Sequence, residues 1–157
     1  MLNPSTLVDS IVAKLQSIPE VVTELGELAT NIQSYESEYP SSLTITEAVH
    51  NQPNPSIIVV WNGSGPGESK RGDAWVHRLS LLCKTQNKYA DLFTVISNGI
   101  PGASTDDGLN FRRTSIHTSC DPISTLTADR RQLFVNDYSA IDYLEISFTL
   151  IERGIGA

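Results

Sequence analysis

The chain has 157 residues, of which 39% are hydrophobic and 18% charged, and its formal net charge is -7. A chain of this length suits one domain, and its composition argues against both intrinsic disorder and residence in a membrane. An acidic surface repels phosphate backbones, so a DNA-reading protein is not expected. The sequence shows no secretory signal. We therefore expect a soluble intracellular protein in which Cys83 and Cys120 are buried free thiols.

A first amphipathic helix is predicted near the start of the sequence. Asn3 is a good N-cap, and Pro4 suits the first helical position, where no N–H is needed. Pro19 closes the run. The apolar positions between them recur at helical spacing and are Leu7, Val8, Ile11, Val12, Leu15 and Ile18.

The pattern is weaker over the next part of the chain. For residues 20–39 we predict a β-hairpin or an irregular strand, with strand edges at residues 21–22 and 32–35. A turn at residues 40–42 and a short helix around residues 46–49 follow. Two closely spaced prolines after that helix favour an extended lead into the next element.

Two strands joined by a long tip come next. Residues 56–61 form a continuous apolar run, which is typical of a strand covered on both faces. Residues 75–84 alternate in polarity, as expected of a strand. The segment between them, residues 62–73, is rich in glycine. We expect it to be a mobile hairpin tip that becomes ordered only against a neighbouring subunit.

The rest of the chain predicts one more helix and two strands. Asn87 is the expected N-cap of the helix, whose apolar stripe is Tyr89, Leu92, Phe93, Val95 and Ile96. A strand of mixed polarity is predicted over residues 111–120, an irregular polar stretch over 121–138 and a closing strand over 142–152. The fold class predicted is α+β, with a mostly antiparallel β-sheet and two main helices packed on one face, in a single domain of residues 1–157.

The sequence carries no recognisable catalytic or metal-binding pattern. Glu68, Ser69 and Lys70 stand where a phosphate-binding loop would need Gly-Lys-Ser/Thr, and a strand follows instead of a helix. No Gly-x-Ser-x-Gly elbow is present. The three histidines are not spaced as metal ligands among themselves or with the cysteines, and we expect His50, His77 and His117 to lie well apart. We predict no catalytic residues, no metal and no cofactor.

The order and character of these elements resemble the tail terminator proteins of long-tailed bacteriophages. The resemblance rests on the first helix, the short helix leading into residues 54–61, the strand 75–81, the helix 89–96 and the closing strand 144–150. It implies a structural virion protein of the tail and neck that assembles in the host cytoplasm. The glycine-rich insert and the polar stretch 121–138 depart from the family pattern.

The same resemblance implies a set of partners. The subunit would join copies of itself in a homo-hexameric ring that caps the tail tube protein and meets the head-tail connector or neck protein. DNA would pass through the lumen without specific binding, and no membrane is involved. The residues expected to contact partner subunits are Gly63, Gly65, Gly67, Lys70, Arg71, Asp73, Arg112 and Arg113.

Some alternatives stay open from the sequence. The basic pairs Arg112-Arg113 and Arg130-Arg131 are expected to be exposed strand and loop charges, or else to form a positive patch that faces a partner. The chain could be another neck or tail component, such as a head-tail stopper or a tube subunit. A small α+β enzyme, with a site that forms only on folding, is the alternative from a different class.

Overall fold

The computed structural model describes residues 2–35, 49–69, 72–98, 116–117, 119–121, 126–136 and 139–153. These residues contain a five-stranded sheet. Its strands are β1 (Ile32–Ser34), β2 (Ser56–Ser69), β3 (Gly72–Lys84), β4 (Thr127–Asn136) and β5 (Ser139–Arg153). The order across the sheet is β1-β2-β3-β5-β4. Only the β1–β2 pair is parallel, and the other three pairs are antiparallel.

Helices pack on one face of this sheet. They are α1 (Pro4–Gln16), α2 (Pro19–Glu24) and α3 (Tyr89–Asn98), of which α1 and α3 are the main ones. The predicted fold class, α+β with a mostly antiparallel sheet and two main helices, is therefore confirmed. None of the helices in the described ranges has the length and apolar character that crossing a bilayer requires.

The first helix forms as its sequence predicts. The Asn3 side chain accepts a hydrogen bond from the Ser5 N–H at 3.0 Å, and Pro4 occupies the first helical position. The apolar stripe faces the sheet, and Leu7, Ile11 and Leu15 are completely buried. Local capping and burial thus favour the same helix.

The prediction of strand edges at residues 21–22 is wrong, because residues 19–24 form α2. α1 ends at Gln16, before Pro19 is reached, and Pro19 serves as the first residue of this second helix, where its fixed φ is helical. Val21 is fully buried, so packing overrides the β-propensity of the two valines. The predicted strand at residues 32–35 is found as β1, and residues 36–48 lie outside the described ranges.

The main core lies between the helices and the sheet. Residues of one parity on each strand point towards the helices, since alternate side chains of a strand lie on opposite faces. We call this side the helical face. Its buried strand residues are Ile57, Val59, Leu79, Leu81, Cys83, Leu144, Ile146, Phe148 and Leu150.

The opposite side, which we call the open face, has a smaller apolar cluster at one end. Ile58, Val60 and Leu82 pack there against Val49, which belongs to the helical residues 49–51. The ammonium group of Lys84 donates hydrogen bonds to the carbonyl oxygens of Val49 and Gln52, at 2.5 and 3.0 Å. Burial lowers the pKa of Lys84. The buried lysine thereby ties these helical residues to β3.

The glycine-rich segment is not the mobile tip that its composition predicts. β2 runs on to Ser69 and β3 starts at Gly72, so residues 63–69 and 72–78 form a regular antiparallel ladder. A bulge between Trp61 and Gly63 shifts the register, and Gly63 has φ 122°, which favours glycine. A Cβ on Gly67 would lie 2.3 Å from Cγ2 of Val76. Close approach of neighbouring side chains, not mobility, explains this glycine.

Three further predictions need correction. α3 begins at Tyr89, and the Lys88 carbonyl accepts its first hydrogen bonds, so Asn87 is not the N-cap. Residues 116–117 form a bend and Cys120 an isolated bridge to Glu152 instead of a strand, while residues 111–115 lie outside the described ranges. The stretch 121–138, expected to be irregular, contains β4.

Replacement of Gly67 by alanine should destabilise the fold, because the new methyl group would overlap the stiff, β-branched Val76 side chain. We expect the free energy of unfolding to fall by about 1–3 kcal/mol, as for other overpacked sites. The measurement is a urea titration followed by circular dichroism. Gly65→Ala is the matched control, since its Cβ would have nothing within 4 Å. The double variant Gly67→Ala/Val76→Ala should recover most of the loss; equal stability of both single variants would contradict the packing argument.

Candidate functional site

The structure places only some of the residues expected to contact partners. Gly63, Gly65 and Gly67 lie on the open face of β2, opposite Arg78, Val76 and Ala74 of β3, respectively. Asp73 stands in β3 opposite Glu68. The other four, Lys70, Arg71, Arg112 and Arg113, lie outside the described residues. The described members therefore share one strand pair at one end of the sheet.

Both margins of the sheet leave strand edges open. β4 is the last strand on one side, and no described strand lies beyond it along any of its ten residues. On the other side β1 pairs only with Ile57, Ile58 and Val59 of β2. Residues 60–69 consequently have no partner strand on their outer side within the described ranges. Unpaired N–H and C=O groups on such edges are templates for another strand.

The side chains of β4 are unusually exposed for a strand. Phe134 is 71% exposed and Arg131 about half exposed, with its guanidinium 3.9 Å from Asp129 and 3.8 Å from Glu145. Such long, half-solvated ion pairs contribute little to stability. Exposure of a phenylalanine ring to water is unfavourable, and contact with a partner would remove this apolar surface from water. The sequence analysis missed this strand, although the apolar run 133–135 within a polar stretch was a signal for it.

A cleft of about 520 Å³ lies beside β4 on the helical face. The ring of Tyr89 forms part of its wall, and the Arg130 guanidinium stacks over that ring at 4.7 Å from the centroid. The Tyr89 hydroxyl donates a hydrogen bond to the Asp142 carbonyl at 2.9 Å. Burial, and then the Asp142 carboxylate, raise the pKa of Tyr89. Arg130 is thus an exposed strand charge, as one of the two expectations had it, and its guanidinium stacks on Tyr89 of α3.

A second hollow, of about 450 Å³, crosses the open face. Four strands contribute to it. Asn62 donates a hydrogen bond to the Ser80 hydroxyl at 2.6 Å, which fixes the bulge of β2 against β3. The polar side chains that line it are Asn62, Arg78, Ser80, Thr127, Glu145, Ser147 and Thr149. With both charge signs and several hydroxyl groups, this surface is suited to hydrated contacts rather than to a dry interface.

The most deeply buried polar group of the helical face is a histidine–carboxylate pair. Nε2 of His77 lies 2.9 Å from Oε2 of Glu152, and their side chains are 0% and 5% exposed. The Leu2 N–H donates to the other carboxylate oxygen at 2.7 Å. The His77 Nδ1 atom is buried without a hydrogen-bond partner among the described residues. Glu152 therefore joins the start of α1 to the centre of the sheet.

The two cysteines are buried thiols that form no disulfide, as expected. Burial raises the pKa of Cys83. For Cys120, burial comes first and the carboxylates of Glu152 and Asp121 add to it, which together raise its pKa to about 11. Both thiols are thus protonated at neutral pH and poor nucleophiles.

The histidines occupy different environments. His77 is buried, His117 accepts a hydrogen bond from the Ser119 N–H through Nδ1, and His50 is exposed in the short helical segment. Within the described residues, no group of three or more His, Cys, Asp or Glu side chains could hold a metal ion. In the described part of the chain, the candidate functional features are therefore the open face and the strand edges, because the buried His77–Glu152 pair is screened from solvent.

Comparison with known proteins does not identify a family for this chain. We find no protein-family model that matches the chain and no curated protein significantly similar to it.

Loss of the Glu152 carboxylate should destabilise the fold, because Glu152→Ala would leave both His77 and the Leu2 N–H without the buried group to which they bind. We expect the free energy of unfolding to fall by about 3–5 kcal/mol, as when one member of a buried pair is removed. Glu152→Gln should cost only about 1–2 kcal/mol, since an amide can still accept from Leu2 and donate to His77. Urea unfolding measures both.

A neighbouring exposed pair supplies the control. Asp121 and Arg153 are joined at 2.9 Å, but their side chains are 44% and 60% exposed. Asp121→Ala should therefore change stability by less than about 1 kcal/mol. If Glu152→Ala were as mild as Asp121→Ala, the buried network would not hold α1 to the sheet.

The thiols should resist alkylation in the folded protein. At pH 8 we expect iodoacetamide to modify neither Cys83 nor Cys120 until urea unfolds the chain, as measured by mass spectrometry. Between pH 9 and about 11 the Cys120 thiol ionises in the unfolded chain but not in the folded one, so this residue should lower stability as the pH rises. Rapid labelling of native Cys120 at pH 8 would contradict its burial.

Proposed function

We propose that this protein is a structural virion component, a tail terminator whose subunits form a ring that caps the tail tube and joins it to the head–neck connector. The observation that carries the proposal is the element order described for the sequence, from an amphipathic first helix to a closing strand. It is supported by the sheet in which those elements lie, whose main core lies under helices on one face and whose two margins have no partner strand within the described residues.

The open margins support an assembling subunit. A sheet that ends in two unpaired edges exposes backbone groups that a monomer normally protects with short edge strands, bulges or a covering segment. Ten-residue β4 is neither short nor covered by a described element. Such an edge is suited to contact with another chain.

The net charge of the chain is compatible with a ring through whose lumen DNA passes. A net charge of -7 disfavours tight binding of phosphates, which a lumen traversed by a genome has to avoid. The hollow on the open face carries hydroxyl groups and charges of both signs, not a basic stripe. No specific DNA contact is part of the proposal.

The buried histidine–carboxylate pair does not favour the enzyme alternative. General acid–base catalysis requires the base to reach the substrate within hydrogen-bonding distance. The His77 and Glu152 side chains are at most 5% exposed, and Glu152 is already engaged by Leu2. Another neck or tail component, such as a head-tail stopper or a tube subunit, remains the nearest alternative and would share the structural role.

The proposal is tested by the mass and shape of the assembled protein. Light scattering of the purified chain at increasing concentration should show a closed oligomer of six subunits, and negative-stain images should show rings with a central hole. A heterologous interface either closes or forms filaments, so a defined mass is informative. When added to polymerising tail tubes, the rings should be found at tube ends and should stop growth. A chain that stays monomeric at high concentration and never binds tube ends would refute the proposal.

A further inference from the structure

The two open margins of the sheet match each other in length. β4 offers ten residues, Thr127–Asn136, and the part of β2 that β1 leaves uncovered is also ten residues long, 60–69. Both edges are unpaired within the described part of the chain. They lie on opposite sides of one sheet, so they cannot pair within a single copy.

The strand directions also fit. β2, β3, β5 and β4 are joined by three successive antiparallel pairs, so β4 runs opposite to β2. If a second copy continues the sheet in the same sense, with its helices on the same side, its β2 would stand antiparallel to β4 of the first. Antiparallel pairing is the stronger and commoner of the two ladder types.

We infer that β4 of one copy pairs antiparallel with residues 60–69 of β2 in the next copy, so that the sheet continues from subunit to subunit. The occupant of each open edge is therefore a second copy of this chain. The contact is heterologous, because two different edges meet, and it leads to a closed ring or to a filament. It deepens the proposed function by naming the interface, but pairing of the edges does not depend on a role in phage tails.

The register of full overlap agrees with the two faces of the sheet. It places Arg131 opposite Gly65 and Asp129 opposite Gly67, and residues directly opposite each other in an antiparallel pair share a face. All four belong to the open face, as their pairing partners in the intact sheet show. Gly65 leaves space for the longer, charged side chain of Arg131, because an atom at its Cβ position would meet nothing within 4 Å.

The same overlap gives the exposed Phe134 a partner. Its ring, 71% exposed in one copy, would come beside the bulge at Trp61 and Asn62 of the next. Trp61 is half-buried, and its indole Nε1 has no hydrogen-bond partner among the described residues. In this register Phe134 stands opposite Asn62, one residue along from Trp61, and both aromatic side chains belong to the helical face.

Pro66 lies within residues 60–69 of β2 and has no backbone N–H to donate to a neighbouring strand. Proline within a sheet is confined to edge strands and bulges, because it has no N–H for the ladder. Together with the bulge at Trp61 it blunts the β2 edge against unspecific strands. Strand β4 has a single irregularity, between Phe134 and Asn136.

Cysteine crosslinking tests the register. Gly65 is suited to a cysteine because an added Cβ meets nothing within 4 Å, and Arg131 is half exposed. In the full-chain double variant Gly65→Cys/Arg131→Cys, mild oxidation should join neighbouring copies into a ladder on a non-reducing gel, on the order of ten times faster than in the control. The control is Gly65→Cys/Gln132→Cys, in which the second cysteine lies on the other face of β4. Equal crosslinking in both variants, or none in the first, would overturn the inference.

A second variant tests the contact without crosslinks. Phe134→Ser should weaken self-association about tenfold or more, measured by analytical ultracentrifugation, with little change in the urea unfolding of the monomer, because the ring is already exposed. Unchanged association would count against the proposed register.

The outcomes separate this inference from the proposed function. Rings that form at tube ends but give no Gly65→Cys/Arg131→Cys crosslink would retain the terminator role and refute the edge pairing. Crosslinked ladders that grow into filaments without closing would support the edge pairing and refute the ring.

Discussion

The burial of one face of the sheet beneath three helices is the constraint on which the rest of the structure depends. Each strand has to present the same parity of residues to the helices, and a slip of one residue would turn Leu79 and Leu81 to the open face. A fully buried leucine contributes about 1.5–3 kcal/mol, so even one such slip is prohibitive. The bulge between Trp61 and Gly63 changes parity on β2 alone, and it turns Gly65 to the open face.

The elements predicted correctly from the sequence are those in which local signals and burial agree. For α1, the Asn3 cap, Pro4 and the apolar stripe all indicate a helix, and β5 shows clear alternation. Residues 62–69 and 72–73 were misjudged because their composition is that of a loop, whereas they belong to two paired strands, in which Gly67 makes room for Val76. Residues 21–22 were misjudged because burial outweighs the β-propensity of valine.

The candidate surface was only partly accessible to sequence reasoning. That the glycines of β2 contact partner subunits stays a prediction, but their assignment to a mobile tip is wrong, because they lie in a strand. β4 was missed because both of its faces are largely solvated, so its side chains do not alternate clearly. The position of an edge is a property of strand order, and strand order depends on pairings such as that of Leu81 with Ile146, which no local pattern contains.

The place of β5 in the sheet has a consequence for how the chain is made. It follows all other described elements in sequence, yet it lies between β3 and β4 and contacts both. During synthesis, one edge of β3 stays unpaired until residues 139–153 emerge from the ribosome. Leu79 and Leu81 stay incompletely covered over the same time. Non-local pairing of this kind slows folding and leaves the nascent chain open to unwanted association. The intermediate most prone to aggregate is therefore the nascent chain that already contains β2 and β3 but still lacks β5.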